Sequence, residues 1–241
     1  MDPIPAILFL TIAAGACIPL GGFIASFEHI RTRWLEQELR HFLIAVGGGI
    51  LLGAVAVVLV PEGVASMQES MLAIPIVLTG GLVFFVIERA LGLRRREAPQ
   101  VIGMLLDYVP EAIALGGMVA LSSPVAPLLA LLIGLQNLPE GFNAFRELHA
   151  LKRRSARRTL LIMGSLVVIG PVAGLLGYYL LSDYPAGLGA IMLFASGGIL
   201  YLIFQDIAPQ SRLNRHWAPP LGAVVGFSLA LFGDMVVRSA A

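Results

Sequence analysis

The feature that most limits this chain is a succession of apolar runs, each about as long as a bilayer is thick and separated by short connections. A membrane-crossing helix needs roughly 20 mostly apolar residues. Such runs fall near residues 4 to 27, 41 to 60, 72 to 92, 101 to 121, 125 to 149, 158 to 181, 187 to 208 and 217 to 238 of the 241. The expected fold is therefore an all-α integral membrane protein with eight transmembrane helices. Composition agrees, with 58% hydrophobic and 13% charged residues and a mean hydropathy of +0.88. Soluble domains carry roughly a quarter charged residues. The connections leave no room for a soluble unit, so residues 1–241 are expected to form a single membrane domain.

No Lys or Arg precedes the first run, which therefore lacks the basic start of a secretory signal and is expected to remain as a helix. The residues before Cys17, Ala14, Gly15 and Ala16, faintly resemble a lipoprotein cleavage site, but a small residue at a helix contact is the reading preferred for a lone Cys. One cysteine excludes an internal disulfide and a Cys-based zinc cluster.

The basic residues fall almost wholly on one side. Arg31, Arg33 and Arg40 follow the first helix, and Arg89, Arg94, Arg95 and Arg96 follow the third. Arg146, Lys152, Arg153, Arg154, Arg157 and Arg158 follow the fifth, and Arg212 and Arg215 the seventh. Only Arg238 lies on the other face. The positive-inside rule then places both termini outside the cytoplasm. A missed helix would switch every later loop to the other side and erase the bias. The run from Lys152 to Arg158 reads as a juxtamembrane orienting cluster, and no nucleic-acid partner is expected.

Charged groups at bilayer depth cost about 2.5 to 3.5 kcal/mol each on insertion scales. Asp107, Glu111, Glu140 and Asp206 nevertheless sit inside apolar runs, and every Lys and Arg lies in a loop or near a helix end. A cation or bound protons must supply the positive charge. The fourth helix reads Asp107, Tyr108, Val109, Pro110, Glu111. The fifth reads Gln136, Asn137, Leu138, Pro139, Glu140, Gly141. In each, an oxygen-bearing side chain and a Glu four residues on share one helix face. Each Pro removes a backbone donor and releases the carbonyl of Leu106 or Leu135 as a further oxygen. A single copy would read as a proline kink with a protonated Glu. Two copies plus Asp206 favour a cation site. Glu62, in a similar Pro-Glu step ending the second helix, reads as a solvated helix end with an entrance role left open, and Glu88 and Asp234 read as helix-end residues.

These residues resemble the ZIP family of zinc, iron and manganese permeases, whose fourth and fifth helices carry His-Asn-x-Pro-Glu-Gly-like motifs at a mid-membrane metal site. The likeness extends to eight helices, external termini, the Pro61-Glu62 step ending the second helix and the seventh-helix stretch Asp206, Ile207, Ala208, Pro209. It implies a ZIP-like bundle with proline-broken fourth and fifth helices and transport of a divalent metal of the Zn, Fe or Mn class. It also implies a metal site drawn from Asp107, Glu111, Gln136, Asn137, Glu140 and Asp206. Asp107 takes the place of the fourth-helix histidine, Tyr108 stands where a small amide is usual, and Asn137 is neutral where some members carry a carboxylate. His29, His41, His149 and His216 all fall in or beside loops. Imidazole suits zinc, whereas an oxygen-only shell suits manganese, magnesium or calcium. One principal metal is expected rather than two.

The expected partners are the lipid bilayer and the metal ion as transported substrate, with a homodimer left open and no organic cofactor. Three alternatives remain at this stage. One is a metal sensor or structural membrane protein without flux; another is a proton or monovalent-cation carrier using the same carboxylates. The last, an intramembrane hydrolase, ranks lowest, because no intramembrane histidine or phosphate loop is present. The pairs Gly49 and Gly53, Gly170 and Gly174, and Gly222 and Gly226 have small-xxx-small spacing, which predicts close helix packing.

Overall fold

In the computed structural model, residues 3–27, 33–92, 99–152, 155–212 and 217–240 are described, and all regular structure among them is helical. Of the residues singled out above, His29, Arg31, Arg94, Arg95, Arg96, Arg153, Arg154, Arg215 and His216 lie outside the described set. The helices are α1 (Ile4–Phe27), α2 (Arg33–Ala54), α3 (Val60–Ser66), α4 (Ala73–Gly92), α5 (Pro99–Ala120), α6 (Ala126–Lys152), α7 (Ala156–Leu166), α8 (Ile169–Leu181), α9 (Pro185–Leu202), α10 (Ala208–Ser211) and α11 (Leu221–Ala240). One wide π turn, Val55–Leu59, joins α2 to α3, and a second, Ile203–Ile207, joins α9 to α10.

Seven described helical segments are long and apolar enough to cross a membrane. Six of the eight expected runs match single segments of this kind, and a seventh is α7 and α8 taken together as Ala156–Leu181. The remaining one, near 125 to 149, forms the 27-residue helix α6 but is not among the seven. The reason is chemical. Gln136, Asn137, Glu140 and Asn143 lower the hydropathy of the helix that carries much of the polar cluster.

The expectation of helices broken at Pro110 and Pro139 is corrected. Both prolines lie inside continuous helices, α5 and α6. A proline deletes one rung of the ladder and bends the helix without ending it where the neighbouring rungs persist. The irregularities lie instead ahead of other prolines. The Val60 N–H donates to the Val55 carbonyl just before Pro61, and the Ala208 N–H donates to the Ile203 carbonyl just before Pro209.

Burial separates inner from outer helices. Within an 18-residue apolar stretch of Gln37–Ser66, Val101–Ala120 and Pro185–Ser211, 67%, 56% and 61% of the residues are buried, whereas in the other four segments the share ranges from 22% to 39%. The outer helices present large apolar side chains such as Phe9, Leu78, Tyr179 and Phe232 outward, as contact with lipid requires. The fold is a helical membrane bundle whose centre holds α2, α5, α6 and α9.

Glycine sets the closest contacts. α2 packs on α11, α4 on α9, α1 on α6 and α5 on α8. A Cβ on Gly222 would strike Phe42, and one on Gly226 would strike Val46, so α2 and α11 run parallel. The same logic makes α1 and α6 parallel, since Gly134 lies against Ala14 and Gly141 against Ile18. Gly49 and Gly53 face α11, and Gly170 and Gly174 face α1 and α5, so the spacing read from the sequence marks real contacts. Substituting Gly226 by Leu is expected to cost the protein its monodisperse elution from size-exclusion chromatography in detergent. Gly103→Leu, where a Cβ meets nothing within 4 Å, is expected to elute as the parent does.

These contacts also repeat. Gly49 meets the Ala223 carbonyl as Gly197 meets that of Val77, and Gly226 meets the Val46 carbonyl as Gly80 meets that of Phe194. Gly49 and Gly197 are as far apart in sequence as Pro61 and Pro209, and the two π turns keep that same offset. The α2–α3 segment and α4 are thus an internal counterpart of the α9–α10 segment and α11. Exchanging the two sets, with α5 for α6 and α1 for α7–α8, maps the principal helix pairs onto one another.

Candidate metal-binding site

Four helical segments meet at the polar cluster. On α5, Asp107 and Glu111 are one turn apart and 3% and 0% exposed. On α6, Gln136 and Asn137 are fully buried, with Glu140 and Asn143 one and two turns further on. Asp206 lies in the second π turn, and Gln210 follows in α10.

The cluster has two tiers. In the deeper one, Gln136 Nε2 donates to Glu111 Oε2 at 2.6 Å, tying α6 to α5. The other is a cavity of about 40 Å³ whose polar lining is Asp107, Glu140, Asn143, Asp206 and Gln210. That volume holds more than one water molecule. Gly47, Gly48 and Gly103 form part of the wall, where the missing side chains leave the space. The cavity lies toward the ends of α5, α6 and α10 that adjoin the Arg-rich connections. Asp107, Glu111 and Glu140 are within electrostatic reach of one another.

The telling feature is which atoms lack partners. Glu111 Oε1, Gln136 Oε1, Asn137 Oδ1, Glu140 Oε2 and Asn143 Oδ1 are buried without a hydrogen-bond partner from the protein. The large majority of buried side-chain polar atoms in folded proteins are satisfied. All five are acceptor oxygens, so what they lack is positive charge or donated protons. Among the described residues, no three His, Cys, Asp or Glu side chains gather closely enough to hold a metal ion by themselves. The oxygens that share the site therefore come from amides as well as carboxylates.

Two of the residues named from the sequence turn elsewhere. Asn137 Nδ2 donates to the Ala14 carbonyl of α1 at 3.1 Å, leaving only its Oδ1 without a partner. Tyr108, 1% exposed, directs its hydroxyl to the Thr11 carbonyl at 3.3 Å and lies against Gly15 and Gly170, so its ring fills the seam between α1, α5 and α8. Of the residues read as helix ends, Asp234 pairs with Arg238 at 2.8 Å, and Glu88 is buried. His41 Nδ1 lies 2.6 Å from the Gln37 carbonyl, and His149 stacks on Phe145, both within their own helices and away from the cavity.

Asn143, Gln210 and the glycine wall are additions that the structure makes to the site. Asn143 follows Glu140 by three residues, and Gln210 follows Asp206 by four. Helical spacing could have found both had they not fallen near the ends of apolar runs, where polar residues are ordinary.

No protein-family model matches the chain. It is similar to the protein named Zinc transporter ZIP9 of Xenopus tropicalis, at 22% identity, over 95% of this chain and 92% of that protein.

Proposed function

We propose that this chain carries a divalent metal cation across a membrane, as the substrate of the site between α2, α5, α6 and the α9–α10 segment. The observation that carries the reading is the set of four buried acceptor oxygens without protein partners on Glu111, Gln136, Glu140 and Asn143, where the inner helices meet. A dehydrated divalent cation is the ligand such a set fits. The similarity to a zinc transporter over nearly the whole chain supports a transporter rather than an enzyme or a sensor.

In this reading the chain acts as one membrane domain that crosses eight times. The parallel packing of α1 with α6 and of α2 with α11 supports the count, since a first and fifth crossing, or a second and eighth, must run the same way. The bias of Lys and Arg puts both termini outside the cytoplasm, and the cavity then faces inward.

Asp107, Glu140 and Asp206 bring negative charge, while Asn143 and Gln210 supply neutral oxygens that replace water. Glu111, held by Gln136, is the acceptor at the deeper end. A single principal metal follows from Tyr108 and Asn137, which are engaged with α1 and α8 instead of framing a second site. With no imidazole in the cavity lining, the metal preferred is a hard one, manganese ahead of zinc.

The test is metal uptake into proteoliposomes holding the purified protein, with manganese, iron, zinc, cadmium and magnesium compared. Saturable uptake that is lost in Glu111→Ala is expected. Equal uptake in the parent and in both Glu111→Ala and Glu140→Ala would remove the site. Proton or monovalent-cation transport would show as flux that divalent metals fail to compete with.

A further inference from the structure

Beside the metal cavity the bundle holds a second, wholly apolar space. It is a groove of about 450 Å³ between α1, α2, α6 and α11, with Ile24, Leu43, Val46, Phe142 and Leu229 among its walls and no polar or charged side chain in its lining. α1 packs on α6 and α2 on α11, and the groove runs where those two pairs face each other. Its lining residues Ile24, Phe27 and Leu229 are 48%, 66% and 44% exposed, so it is open along one side to whatever surrounds the bundle. Around a helical membrane bundle that is lipid.

The dimensions suit a hydrocarbon chain. On α2 the groove runs from Leu39 to Ile50, about 16 Å at a helical rise of roughly 1.5 Å per residue. One leaflet contributes about 15 Å to a hydrocarbon core of roughly 30 Å, so the groove is as deep as a leaflet. A partner helix, about 10 Å across, would not enter it.

Charge decides the headgroup. The shallow end is marked by Phe27, Leu39 and Phe142, on the parts of α1, α2 and α6 nearest the Arg-rich connections. Arg146 holds its guanidinium over the Phe142 ring, 5.8 Å from the ring centre. From Arg146 to Arg158 the chain carries six basic residues and one acid, Glu147, whereas residues 28 to 40 balance Arg31, Arg33 and Arg40 with Glu28, Glu36 and Glu38. The α6 side of the mouth is therefore the positive one. Basic groups beside a slot between membrane helices are the arrangement that holds anionic lipid headgroups.

We propose that this groove is a binding site for an anionic glycerophospholipid, with one acyl chain lying between α1 and α2 and the phosphate at Arg146. The bound chain backs on to the metal cavity, because Leu43 and Pro139 line both spaces. Membrane composition thereby bears on the wall of the metal site. The proposal stands whether or not that site carries a metal across the membrane.

Native mass spectrometry of the purified protein tests it, with the chain released from detergent micelles that hold phosphatidylglycerol and phosphatidylethanolamine in equal amounts. The parent is expected to keep one phosphatidylglycerol severalfold more often than one phosphatidylethanolamine. Ile24→Trp, which fills the groove, is expected to lose that adduct. Ile12→Trp is expected to keep it, since Ile12 is exposed on the same helix but outside the groove. Arg146→Gln is expected to retain lipid without preference between the two. Equal retention of the two lipids by the parent would overturn the proposal. So would undiminished phosphatidylglycerol in Ile24→Trp, an undiminished preference in Arg146→Gln, or loss of the adduct in Ile12→Trp. Leu229→Trp fills the same groove from α11 wherever Ile24→Trp fails to yield folded protein.

Discussion

Glu140→Ala is expected to reduce saturable metal uptake by at least about tenfold, since losing even the outer partners of a metal site costs roughly 10- to 100-fold in affinity. Glu140 joins the two tiers. Its side chain lines the cavity, and its carboxylate is within electrostatic reach of both Asp107 and Glu111. One of its oxygens is buried without a protein partner. Removing the group takes a charge from the middle of the site, and no other residue on that face of α6 replaces it. Glu140→Asp, which keeps the charge on a shorter stem, should recover part of the uptake, whereas Glu140→Gln should not. Uptake by the parent should weaken as pH falls, because a carboxylate must be deprotonated to bind metal and protons compete for the same oxygens. The result is read as initial uptake rates against pH and metal concentration. The melting temperature of each variant in detergent separates loss of the site from loss of the fold. Full uptake by a folded Glu140→Ala protein would exclude the two-tier site.

Much of this arrangement is legible along the chain, and the parts that are not share a cause. The apolar runs, the buried carboxylates and the contact glycines are periodic or compositional signals, and they survive without tertiary context. Pro110 and Pro139 mislead because proline reports a missing donor, not whether the helix on either side holds. The two π turns carry no sequence mark beyond the prolines that follow them. Their place depends on how α2 and α9 settle against their neighbours. Tyr108 shows the same limit. Its bulk beside Asp107 is plain in the sequence, but its turning toward Thr11 depends on the space left by Gly15 and Gly170, on two other helices. Asn137 joins the site in the sequence by adjacency to Gln136, yet neighbours on a helix point about 100° apart. One donates to Glu111 and the other to α1.

Asp107→His should change which metal is carried, shifting the ratio of zinc to manganese uptake by more than about tenfold, the factor that roughly 1.4 kcal/mol of differential affinity represents. Asp107 is the cavity carboxylate on α5, and its Oδ1 already accepts the Tyr108 N–H at 2.7 Å, which fixes its position. Exchanging it for histidine acts twice. It withdraws a negative charge that manganese, magnesium and calcium rely on, and it introduces an imidazole nitrogen, which favours zinc. Manganese depends on hard carboxylate oxygens more than zinc does, so losing a carboxylate should cost it more than zinc. The change should appear when the two metals compete for uptake in the same proteoliposomes, without a comparable change in the thermal midpoint of the metal-free protein. Asp107→Asn provides the control, since it removes the charge without adding imidazole. If it alone reproduced the zinc preference, charge would govern selectivity here. If neither substitution altered the ratio, Asp107 would not be a ligand, and selection would have to occur deeper, at Glu111 and Gln136.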